Sequence, residues 1–140
     1  MIHDELIPKE AHVYPVHTGK KLLGLGSYQS VLKEISAIVK LDIAHDETCY
    51  QQLIEQYADF VQLLSHPLSA VKESMLSRSV KRAYIMLREF ARCYEERYGS
   101  QAIVSESGSR LLYGVFSAAL LFEVGCICTE RRIILCDTHG

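Results

Sequence analysis

Side chains able to grip a metal gather near the end of the chain. Cys126-Ile127-Cys128, then Cys136 and His139, put four soft or borderline donors within fourteen positions, and zinc selects such donors. The single residue between the paired cysteines departs from the two-residue gap usual in zinc sites. The competing reading makes these cysteines small buried apolar side chains beside a helix. A second chemistry lies in the cations Arg78, Lys81, Arg82, Arg88 and Arg92, with Lys72 upstream. Such a basic helical face can meet DNA phosphates, in which case binding weakens steeply with salt. Interleaved Glu89, Glu95 and Glu96 favour a solvated face carrying Arg92–Glu96 and Arg92–Glu89 pairs. His12, His17, His45 and His66 are scattered among polar stretches, and no two of them stand four apart. Nothing around Cys49 or Cys93 marks an activated thiolate. Gly24-Leu25-Gly26 lacks the third glycine and the preceding strand of a phosphate loop.

Composition limits what these residues can serve. The chain has 140 residues, 49% hydrophobic and 23% charged, enough for one core and too little for a large multidomain enzyme. Fifteen Lys and Arg against 17 acidic residues leave a formal charge of −2, which removes any whole-protein basic field for DNA and leaves a local patch. The start, Met1-Ile2-His3-Asp4-Glu5-Leu6, is acidic where a secretion signal is basic. The most apolar run, 111–124, is broken by Gly114, Ser117 and Glu123 and falls short of the ~20 apolar residues of a membrane span. Five cysteines, an odd set without a secretion signal, imply reduced thiols and a cytoplasmic location. Membrane attachment is not expected.

The elements that must position these groups follow from periodicity. Residues 1–26 read as an irregular arm: Pro8 and Pro15 oppose helix, and Gly19, Gly24 and Gly26 loosen the backbone. A helical domain over 27–140 follows, all-α, with about four main helices. The first spans about 28–40, with Ser27 as its N-cap and Val31, Leu32, Ile35, Ile38 and Val39 at helical spacing. The second runs from about 46 to 64 on a stripe of Tyr50, Leu53, Ile54, Tyr57, Phe60, Val61 and Leu64, and Pro67 closes it. The third, about 69–98, stops at Gly99. Its apolar side holds Met75, Leu76, Val80, Ala83, Met86, Leu87, Phe90, Ala91 and Tyr94, and its cations lie opposite. Residues 100–109 read as a polar loop. The fourth helix, about 109–124, is apolar almost all round, a pattern suited to the middle of a bundle. The run Ile133-Ile134-Leu135 is a short strand or a helical turn, and the chain stops close behind it; the expectation is that this is the front part of a longer protein.

Several segments, taken in order, carry a family resemblance: Tyr14-Pro15; Leu22-Leu23 with Gln29 and Leu32; Tyr57-Ala58-Asp59-Phe60-Val61-Gln62-Leu63-Leu64; Ser117-Ala118-Ala119-Leu120-Leu121-Phe122-Glu123-Val124-Gly125; and Thr129-Glu130-Arg131-Arg132. Over roughly 14–137 the chain resembles the amino-terminal domain of the TraI-like relaxases of conjugative plasmids and integrative conjugative elements. That domain is related to the HD metal-dependent phosphohydrolases. The resemblance implies an HD-like helical fold and a role in conjugative DNA processing. It also exposes departures. The family's His-Asp pair is here Phe122-Glu123, and the lysine after its glycine is Cys126. Its His-rich stretch is here Ser65-His66-Pro67-Leu68-Ser69-Ala70, and a further helical histidine falls at Arg78.

An HD site holds its metal through imidazoles and carboxylates, and so makes a bound water nucleophilic near neutral pH. Phenylalanine offers no lone pair, and a guanidinium stays protonated and repels a cation. The resemblance with these departures implies a pseudo-HD module without catalytic residues or a resident cofactor. In it Phe122 plugs the former metal position and Glu123 pairs with a basic residue such as Arg78. Such a module would work through a protein partner in a conjugation complex or through self-association. Two rival readings remain at this stage. One is a manganese-type phosphohydrolase or DNA-nicking enzyme using Glu123, Asp137 and His66 or His139. The other is a zinc- or DNA-binding module built on the terminal cysteines and the basic helix.

Overall fold

Three of the described helices begin where a hydroxyl side chain accepts from a free backbone N–H of the first turn. The computed structural model describes residues 17–39, 47–61 and 74–130. Thr18 sits in extended conformation, and its Oγ1 accepts from the Lys21 N–H at 3.3 Å; this starts α1, Gly19–Leu23. After Gly24 and Leu25 comes α2, Gly26–Val39. A π-helical turn, Glu47–Gln51, leads into α3, Gln52–Val61. Ser74 caps α4, Met75–Tyr98, by accepting from the Ser77 N–H at 3.1 Å. Gly99, at φ +87° and ψ 160°, ends that helix in a conformation that only glycine adopts without strain. The short α5, Ser100–Val104, follows. Ser105 then starts α6, Glu106–Leu120, its Oγ accepting from the Gly108 N–H at 3.1 Å. Last comes α7, Val124–Glu130.

The protein is an all-α single helical domain, and α4 is its spine: α2, α3, α5 and α6 all pack against it. Its buried stripe of Met75, Leu76, Val80, Ala83, Leu87 and Ala91 meets Ile35 and Val39 of α2, Ile54 and Val61 of α3, Ile103 of α5, and Leu112, Phe116 and Leu120 of α6 in one core. Each such large side chain withdrawn from water contributes about 1.5–3 kcal/mol. The Tyr50 ring of the π-helical turn packs on α6, 4.9 Å from the Phe116 ring and 5.3 Å, edge-on, from that of Tyr113.

Several expectations need correction. The stretch assigned to an irregular arm contains α1. A helix this short does not stand alone; burial of Leu23 and a hydrogen bond from the Gly19 N–H to the Asp59 carboxylate of α3 hold it. Ser27 lies inside α2 rather than capping it. The span read as a polar loop, 100–109, contains α5 and the first turn of α6. Five residues carry no periodicity to read, yet Ile103 is buried and anchors them. The approach of α5 to α6 is close: a Cβ on Gly108 would stand 2.0 Å from the Ala102 carbonyl oxygen.

Nor is α6 buried on every side. Leu112, Phe116, Ala119 and Leu120 face the core, whereas Leu111, Gly114, Ala118 and Leu121 face out, because only one side of the helix lies against α4. Phe60, assigned to the apolar stripe of α3, and Met86, assigned to that of α4, are exposed. The long helix begins at Met75 rather than near 69, because Ser74 is extended and its hydroxyl caps the first turn; the proposed ends near 46 and 64 and the strand-or-turn at 133–135 lie outside the described residues. Among the described residues no helix is long and apolar enough to cross a membrane.

Candidate functional site

The turn after α6 carries the pair that the resemblance singled out. Beyond Leu121 (φ −89°, ψ 4°) the chain leaves the helix through Phe122 and Glu123, and these two residues part company. Glu123 is 8% exposed, whereas Phe122 is 74% exposed. A buried carboxylate needs compensation, and α4 supplies it. Arg78 and Arg82, one turn apart, share a face of that helix. Arg82 Nη2 donates to Glu123 Oε1 at 2.6 Å, and Arg78 Nε lies 3.4 Å from the same oxygen. The clasp joins α4 to the α6–α7 turn across 41 residues of sequence.

A second polar contact lies beside the clasp. Tyr57 of α3 and Ser79 of α4 are both buried, with Tyr57 Oη 2.8 Å from Ser79 Oγ. Burial raises the Tyr57 hydroxyl above its ordinary pKa of 10.0, the Ser79 hydrogen bond lowers it, the Glu123 charge raises it and the Arg82 charge lowers it. Three elements therefore meet in one electrostatic neighbourhood of Tyr57, Ser79, Arg82 and Glu123.

Phe122 does not plug this place. Its ring lies outside, 5.2 Å from Arg82 Cζ, in a cation–π arrangement. A one-residue step at a turn sends successive side chains apart. The inward place goes to the group whose charge the arginines match, and the aromatic ring covers the outer side of Arg82. Glu123 does pair with Arg78, and the shorter contact is with Arg82, which had been grouped with the solvated cations.

The five cations of α4 consequently do not form one stripe. Arg78 and Arg82 turn to Glu123. Lys81 lines a cleft of about 90 Å³ with Ser77 and Val80 of α4 and Ser27, Tyr28 and Val31 of α2. Arg88 and Arg92 face solvent. Arg92 meets Glu96 at 2.7 Å and Glu89 at 3.4 Å, the two pairs expected from spacing, and Arg88 meets Glu89 at 3.4 Å and stacks over Tyr84.

The cysteines are spread apart in what is described. Cys128 is exposed on α7, Cys93 is exposed 3.8 Å from Arg92 Nη2, and Cys49 is half-buried in the π-helical turn. Among the described residues no three His, Cys, Asp or Glu side chains are placed to hold a metal. The Cys126 side chain, Cys136, His139, Asp137, His66, His12 and His45 lie outside the description, and with them most of the zinc set and most of the phosphohydrolase set.

Periodicity missed Tyr57 and Ser79 as polar partners. Tyr57 counted as one more apolar residue in its stripe. A signal did exist: Ser79 interrupts the core face of α4 one position after Arg78. No family model, curated protein or solved structure matches this chain.

Proposed function

We propose that this chain is a non-catalytic pseudo-HD module, an accessory or assembly component of a conjugative DNA-transfer apparatus acting in the cytoplasm. One observation carries the reading. Glu123, the single ligand-type side chain of the Phe122-Glu123 pair, has its carboxylate held by two guanidiniums, at 2.6 and 3.4 Å. Guanidinium groups stay protonated and repel a cation. A divalent ion approaching this carboxylate would have to displace Arg82 and leave its charge partly buried without a counter-charge, which is costly. The conjugative context is drawn from the resemblance of the ordered segments. Its implied mode of action is protein contact, with another component of such an apparatus or with a second copy.

Metal analysis of the purified chain, together with a phosphodiesterase assay in manganese, tests the proposal. The expected result is no stoichiometric metal and no turnover above a metal-free control. Stoichiometric manganese with turnover would overturn it in favour of a metal-dependent phosphohydrolase or nicking relaxase. One zinc per chain, lost on replacing Cys126 and Cys128 by serine, would instead install the zinc-module reading.

A further inference from the structure

We draw no further inference here: the strongest candidate, the outward apolar face of α6 running from Leu111 through Gly114 and Ala118 to Leu121 and the neighbouring Phe122, has nothing in the structure to show what covers it.

Discussion

Among the described residues Glu123 is the one charged side chain that is buried. Replacing it, as Glu123→Gln, leaves Arg78 and Arg82 facing a neutral amide. Removing one member of a fully buried ion pair costs about 3–5 kcal/mol. With the arginine side chains 40% and 23% exposed, water screens part of that, and a loss of about 1–3 kcal/mol is expected as a lower urea midpoint. In the Arg82→Ala/Glu123→Gln double variant the losses should sum to less than the two single losses, because the groups are coupled. Strict additivity would show that the Arg82–Glu123 contact contributes no stability. Phe122→Ala gives a contrast. An exposed ring over a guanidinium is worth about 0.5–1 kcal/mol, whereas a core plug would cost about 3–5 kcal/mol.

Tyr57 adds a pH dependence of definite sign. Its folded pKa stands above the ordinary 10.0, so the folded chain holds this proton more tightly than the unfolded chain does. The associated stability is complete below that ordinary value and is lost as pH rises towards the folded one. Urea midpoints measured from about pH 9 to 11 should fall more steeply for the native chain than for Tyr57→Phe. Parallel curves would show that the hydroxyl is not held in its protonated form.

At the scale of elements, stability depends on how closely the helices approach. Gly108→Ala sets a methyl group 2.0 Å from the Ala102 carbonyl oxygen, and backbone on both sides must move. The substitution is expected to cost about 1–3 kcal/mol, the range for overpacking a tight contact. Gly114→Ala, on the same helix with nothing within 4 Å of the added carbon, should stabilise by about 0.5–1 kcal/mol through helix propensity. Thermal unfolding of the pair separates the two effects; equal shifts in one direction would mean that α5 does not lie against α6 as described.

For the whole molecule, the question is whether a basic helix makes a DNA-binding protein. The chain has a net charge of −2, and on α4 Arg78 and Arg82 are committed to Glu123 while Arg88 and Arg92 are paired with glutamates of their own helix, so these four offer phosphates little unmatched positive charge. Gel-shift titration with duplex DNA should show no retention at about 0.1 M salt, and any binding at lower salt should vanish as salt rises. Retention at about 0.1 M salt that weakens steeply as salt rises further and disappears in Arg88→Ala/Arg92→Ala would restore the DNA-binding reading.

The sequence determined the all-α class, the end of the long helix at Gly99 and the Arg92 pairs with Glu89 and Glu96, because these depend on residues within a turn or two of one another. Its apolar stripes on α2, α3 and α4 largely foretold the core, apart from Phe60 and Met86. Tertiary structure alone decided that α1 and α5 exist, since helices of five residues owe their stability to what they dock against. It also decided which side of α6 is buried, a choice that an all-round apolar helix leaves open. The inward turn of Glu123 and the outward turn of Phe122 were settled in the same way. A helical wheel ranks Arg82 by angle on its own helix, whereas its orientation is set by a carboxylate 41 residues away, and no local pattern encodes a charge that arrives from another element.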